Sequence, residues 1–217
     1  MAEMLSREIP VVPPNSALLF IDVQNYNARA DGGEYREQGL TPEQAAKKHA
    51  YFFEQLDSPV IPNMRRLQNA CRRKGIEVLY TTIESLTKDG RDRSLDYKIT
   101  GFNVPRGSWD ARVIDAIAPL EDEIVFPKTS SSVFISTNIH YILGNLDIKF
   151  LIVSGLLTDQ CISSAVRDAC DLGYLVTLIS DACATYSRER HLTSLGHIAG
   201  YCRQRTTDEF LAELENL

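Results

Sequence analysis

Short runs of apolar and β-branched residues alternate with helix-spaced segments along nearly the whole chain, and this alternation limits the fold more than any single motif. Residues 17–23 and 76–82 read as buried strands, with further strands at 123–126, 150–154 and 174–179 and a short one near 203–205. Between them, 43–74 reads as helical with interruptions near Ser58-Pro59 and Pro62, and Gly75 stops that stretch. Residues 110–117 predict a short helix, and 137–146, 159–173, 188–199 and 208–214 predict further helices. Residues 84–105 are rich in charge and glycine and lack clean periodicity, so they are expected to form a long functional loop. Strands that alternate with helices imply a mainly parallel sheet covered on both faces, a three-layer α/β/α fold. With no internal repeat, linker or low-complexity tract, residues 1–217 are expected to form one domain, with 1–15 as an extended N-terminal arm.

The charge balance, 23 Lys and Arg against 29 Asp and Glu, gives a net charge of −6 and argues against a broad nucleic-acid footprint. The N-terminal segment has no apolar signal core, and no segment approaches a membrane span. Five cysteines, at 71, 161, 170, 183 and 202, form no C-x-x-C pair. An odd count without an export signal points to reduced thiols in the cytoplasm, four of them read as packing residues.

In a parallel sheet, ligands bind beyond the carboxyl ends of the strands. Three polar residues fall at such ends: Asp22 closing Ala17-Leu-Leu-Phe-Ile, Lys128 after Ile124-Val-Phe-Pro, and Cys161 after Leu151-Ile-Val-Ser-Gly and a polar turn. Ile162, Ala165, Val166 and Ala169 follow at helical spacing, so Cys161 lies on or next to a first helical turn. Free backbone N–H groups and the helix dipole favour a thiolate there. Taken singly, Cys161 reads as an inert buried thiol, Asp22 as a turn cap and Lys128 as a surface lysine. Together they read as nucleophile, base and electrostatic partner, with backbone N–H groups of the turn before Cys161 available to a tetrahedral oxyanion.

These residues resemble the isochorismatase-like cysteine hydrolases. The resemblance covers residues 17 to about 184 and rests on Ile21-Asp22-Val23-Gln24, Phe126-Pro127-Lys128 with Ser132 and Phe134 beyond, and Gly155-Leu-Leu-Thr-Asp-Gln-Cys161. Val166-Arg-Asp-Ala, Gly173-Tyr and Asp181-Ala182 complete it. It implies a catalytic triad of Asp22, Lys128 and Cys161, a cis peptide at Leu156–Leu157, and an oxyanion hole from the N–H groups of Leu157 and Cys161. Nicotinamidases of the family usually carry an Asp-x-His metal motif, whereas residues 80–88 here contain no histidine. No metal or other cofactor is therefore expected, and the four histidines are read as helix-face residues.

A nucleophilic cysteine favours C–N hydrolysis over vinyl-ether cleavage. Gln24-Asn25 with Ala28 and Gly32-Gly33, together with Gly107-Ser-Trp-Asp110, look like the ureidoacrylate and carbamoyl-compound branch. Ile83-Glu84-Ser85 stands where that branch places an Asn and an aromatic residue, so the resemblance implies small ureides more than ureidoacrylate itself. Substrate contacts are expected at Gln24, Asn25, Tyr26, Glu84, Phe134 and Gln160. Trp109 is expected to anchor its segment, and Arg91, Arg93 and Lys98 to be solvated. The family also implies a homo-oligomer, a dimer or tetramer. The alternatives are a nicotinamidase or vinyl-ether hydrolase on the same scaffold, and a redox-reactive or partner-binding protein without catalysis. No G-x-G-x-x-G or Walker sequence supports nucleotide binding.

Overall fold

The computed structural model describes residues 6–217. Its centre is β1, Ser16–Ile21, whose six residues are all buried. Leu18 and Phe20 pack into one core while Ala17, Leu19 and Ile21 pack into the other, as the two-residue period of a strand covered on both faces requires. The remaining strands are β2 (Glu77–Ile83), β3 (Val125–Lys128), β4 (Phe150–Leu156), β5 (Leu175–Ala184) and β6 (Arg203–Arg205). They hydrogen-bond in the order β3-β2-β1-β4-β5-β6, and every pairing is parallel. The three-layer α/β/α expectation therefore holds, with a fully parallel sheet.

Helices Ile61–Arg73 and Thr207–Glu215 cover one face through Met64, Leu67, Phe210 and Leu214. Helices Ile139–Asn145 and Ser163–Asp171 cover the other through Leu143, Ala165, Val166 and Ala169. From β1 the chain winds outward through β2 to β3, then returns to the other side of β1 as β4. The connections diverge at this reversal and leave a crevice beyond the carboxyl ends of β1 and β4.

The interruption expected within 43–74 is present. Helices Pro42–Lys48 and Ala50–Gln55 meet at His49, and Ala50–Gln55 is separated from Ile61–Arg73 at Ser58, whose backbone is non-helical; Ser58–Pro59 is cis. The helix expected at 110–117 is not formed beyond a 3-10 turn at Asp115–Ile117. Its backbone is used laterally instead: Arg112 O and Asp110 O accept from the N–H groups of Asn25 and Tyr26, and Ile114 N–H donates to Val23 O. The 84–105 segment is more ordered than expected and contains helix Leu95–Thr100, capped by Ser94 and stopped by Gly101 at φ 86°. Residues 1–5 of the expected arm lie outside the described residues. The rest of the arm is partly held, since Val11 is buried in the core. Among the described residues no helix is long and apolar enough to cross a membrane.

Candidate active site

Asp22 follows β1 directly and has a left-handed backbone, φ 55°, which an Asp tolerates better than most residues. Its N–H donates to Thr81 O on β2 at 3.1 Å, and Thr81 Oγ1 donates to Asp22 Oδ1 at 2.7 Å. On the other flank Gly155 of β4 has φ 137°, and a Cβ there would collide with the backbone of Ile21. Glycine thus lets β4 run close against the end of β1, immediately before the aspartate.

Lys128, the last residue of β3, extends beneath this junction and is fully buried. Its Nζ lies 2.8 Å from Asp22 Oδ2, 2.9 Å from Tyr97 OH, 2.8 Å from Ser130 O and 3.3 Å from Cys161 Sγ. An ammonium has three protons, so four acceptors compete for them and the sulfur sits at the longest of the four distances. Burial opposes the ammonium charge, but Asp22, Cys161 and Tyr97 outweigh it and hold the Lys128 pKa well above its ordinary value.

Cys161 sits in a wide turn, Thr158–Ile162, that leads into helix Ser163–Asp171. The helix-start placement is as expected, but the thiolate it was taken to favour is not the resting form. Burial pushes the thiol up to about 12, with Lys128 pulling it down and Asp22 adding to the rise. Burial alone moves Cys71 to the same range, and burial is the largest cause for Cys183 and Cys202 as well. What sets Cys161 apart is its contact with an ammonium. Asp22 and Lys128, buried beside it, complete a charged cluster in a dry setting.

Tyr97 is a member of this cluster that the sequence did not point to. It is buried, accepts from Lys128, and lies 3.9 Å from Cys161 Sγ. Burial pushes its phenol up, so it stays protonated. A tyrosine in an aperiodic charged segment carries no local signal of this role. A further contact joins the segments around residues 132 and 168: the Ser132 hydroxyl donates to the Asp168 carboxylate.

A cavity of about 20 Å³ opens beside Cys161, lined by Asp22, Leu157 and Gln160 among others, and by Tyr26 and Phe102. That volume holds little more than one water; Phe102 of the 84–105 segment lines it, with the Tyr97 ring packed 5.5 Å from that of Phe102. Leu156–Leu157 is cis. Of the six expected substrate contacts, Tyr26 and Gln160 line the cavity. The other four are placed elsewhere. Gln24 is fully buried as a clamp: its Nε2 donates to Ile83 O and Asp110 O, and its Oε1 accepts from Ile83 N–H. Asn25 Nδ2 donates to Trp109 O, Glu84 Oε1 accepts from Gly107 N–H, and Phe134 packs 5.9 Å from Tyr174.

Two smaller expectations also change. Asp110, not the half-exposed Trp109, anchors its segment, accepting from Gly33 N–H and pairing with Arg36. Arg93 is not solvated but donates to the carbonyls of Gly90 and Phe102 and so ties the covering loop together. None of the four histidines lines the cavity; His49 packs between the rings of Tyr35 and Tyr186.

The chain as a whole is similar to known proteins. An N-carbamoylsarcosine amidase from Arthrobacter sp is 36% identical over 53% of this chain, and the match spans about half, 46%, of that protein's length. A ureidoacrylate amidohydrolase from Serratia proteamaculans (strain 568) is 27% identical over 80% of this chain and 71% of its own. A probable inactive nicotinamidase from Arabidopsis thaliana is 30% identical over 83% of this chain and 86% of its own. The crystal structure of a cysteine hydrolase from Pseudomonas syringae pv. phaseolicola 1448A superposes with a TM-score of 0.78 at 22% identity, covering 100% of this chain and 99% of that one. The family model for the isochorismatase domain matches residues 16–209, from the first residue of β1 into the last helix. A match that takes in every strand together with Asp22, Lys128 and Cys161 shows the kinship: this chain belongs to the isochorismatase family.

Proposed function

We propose that the protein is a cysteine amidohydrolase that cleaves the C–N bond of a small linear ureide, carbamoyl compound or amide through a thioester on Cys161. The observation that carries this reading is the placement of Lys128 Nζ within 2.8 Å of Asp22 Oδ2 and 3.3 Å of Cys161 Sγ at the strand-order reversal. The kinship with a carbamoylsarcosine amidase and a ureidoacrylate amidohydrolase supports the bond class.

The thiol is protonated at rest, so its proton leaves as sulfur attacks the carbonyl carbon. Asp22 accepts that proton, and Lys128 balances the negative charge as it passes between carboxylate and sulfur. The N–H groups of Leu157 and Cys161 stabilise the tetrahedral oxyanion. Collapse breaks the C–N bond, and Asp22 returns the proton to the departing nitrogen, which leaves as ammonia or an amine. Water then adds to the thioester, giving one proton to Asp22, and the second collapse releases the acid and restores the thiol. Entry and release require the cover carrying Tyr97 and Phe102 to move aside.

The reading includes a cytoplasmic setting, in keeping with five unpaired thiols, and a homo-oligomer, for which exposed Leu95, Ile99, Ile135 and Tyr141 offer apolar surface. Ammonia release across a panel of ureides, carbamoyl amino acids and simple amides tests it. Cys161→Ala should abolish turnover in a protein that remains folded, and undiminished release from that variant would sink the proposal. A nicotinamidase using the same three residues is the second reading, favoured by the rings of Tyr26 and Phe102 in the lining. Nicotinamide therefore belongs in the panel, assayed with and without chelator.

A further inference from the structure

One wall of the cavity has no part in the chemistry above. Asn27 lines it, is 5% exposed, and holds its Oδ1 buried without a hydrogen-bond partner. Glu34 lines the same cavity and accepts from Tyr186 OH. The wall is built from behind: Tyr35 OH donates to Asn27 O at 2.8 Å and lies 3.5 Å from Tyr186 OH, and His49 packs 4.9 Å from the Tyr186 ring.

The Gly32-Gly33 pair explains how this wall reaches the site. A Cβ on Gly32 would strike the carbonyls of Asn25 and Tyr26, and Gly33 N–H donates to Asp110 Oδ1 at 3.0 Å. The chain therefore doubles back tightly after Asn27 and returns Glu34 to the cavity. A buried acceptor without a donor is costly in a folded protein, and here the unpartnered Asn27 Oδ1 belongs to a residue that lines, together with Glu34, a cavity next to the nucleophile. The cavity lining contains two carboxyl groups, Asp22 and Glu34, and no arginine or lysine. Lys128, beside the lining residues Asp22 and Cys161, is paired with Asp22.

We infer that Asn27 and Glu34 form a substrate subsite for the part of the molecule remote from the attacked carbonyl, selecting a neutral or cationic group with N–H donors over a carboxylate. The inference rests on the amidohydrolase reading and narrows its substrate class. A carbamoyl amino acid would set its carboxylate against Glu34, whereas the corresponding amide offers N–H groups to both acceptors. Burial pushes Glu34 up to about 7, with Tyr186 opposing and Glu37 adding to the rise. The other titratable groups around it are Tyr26, Tyr35, Tyr186 and His49, with Asp22 and Cys161 lining the same cavity. Glu34 is thus mostly neutral at pH 6 and mostly charged at pH 8, so rejection of a carboxylate strengthens across that interval.

The test uses a matched pair, N-carbamoylglycinamide and N-carbamoylglycine, with calorimetric binding to the full-length Cys161→Ala protein at pH 6 and pH 8. The neutral amide should bind about tenfold or more tightly at pH 8, with a smaller ratio at pH 6. Adding Glu34→Gln should bring the ratio towards one at both pH values. Equal binding, preference for the carboxylate, no binding of either compound, or a ratio unmoved by Glu34→Gln overturns the inference. If that variant does not fold, the pair and its pH dependence in the Glu34 protein still decide. Ammonia release by the wild-type protein separates the two claims: selective binding without turnover sinks the hydrolase reading alone, and turnover with the reverse selectivity sinks the subsite alone.

Discussion

The two sides of the cavity differ in how far their polar groups are satisfied. On the strand-end side, Asp22 holds Thr81 and Lys128, and Lys128 in turn has Tyr97, Ser130 and Cys161 as neighbours. On the loop side, Asn27 Oδ1 has no partner, and Glu34 carries a carboxyl whose charge its surroundings disfavour. The first arrangement is held by charge before a ligand arrives: Asp22 Oδ2, which has no hydrogen-bond partner, faces the Lys128 ammonium at 2.8 Å. The second is incomplete, and a ligand's donors would complete it. On the proposed reading, reaction and recognition fall on different walls, one built by the sheet and the other by the turn after β1.

The comparison breaks most visibly at Lys128. Lys128→Met leaves Asp22 buried without its counter-charge, and should lower unfolding free energy by about 3–5 kcal/mol in urea titration while also removing activity. A variant as stable as the parent would mean that the strand-end side is not held together by this pair. Tyr97→Phe is gentler. It removes one acceptor from Lys128 and the hydroxyl near Cys161, and kcat should fall by about tenfold with KM little changed. An equal fall in kcat/KM through KM alone would place Tyr97 in substrate binding instead.

The state of the thiol is a finer probe. Because Cys161 is pushed up to about 12, its alkylation, followed by site-resolved mass spectrometry, should rise about tenfold per pH unit from 7 to 10 as the thiolate fraction grows. A plateau below pH 9 would contradict a protonated resting nucleophile. The smallest effect concerns the loop side. Glu34 binds its proton up to about pH 7 in the folded protein but only to about 4.5 when unfolded. Between those values the folded state holds more protons, so stability should decline as pH rises through this window. Glu34→Gln should flatten that decline, read as the difference in melting temperature between pH 5 and pH 8.

Much of the strand-end side was legible along the chain. A continuous apolar run in β1, Gly75 and Gly173 as helix stops, and a polar residue closing each apolar run are signals carried within a few residues. Those signals placed Asp22, Lys128 and Cys161 at the same sheet edge once the strands were taken as parallel. The failures have the same explanation in reverse. Residues 110–117 have a helical pattern, but their carbonyls accept from Asn25 and Tyr26, a demand set by a segment some 85 positions away. Gln24 and Asn25, polar and next to Asp22, suggested substrate contacts; their hydrogen bonds go instead to Ile83, Asp110 and Trp109.

By itself, then, the sequence determined the order of strands and helices, the parallel sheet and the three residues at its carboxyl edge, because periodicity and chain-reversing residues act locally. Only the tertiary structure decided that Cys161 rests as a thiol, that Tyr97 joins Lys128, and that Asn27 and Glu34 face the same space. Those properties depend on desolvation and on partners far apart in the chain. Tyr97 and Cys161 are 64 positions apart and Glu34 and Tyr186 are 152, and no local pattern records which buried groups packing brings together.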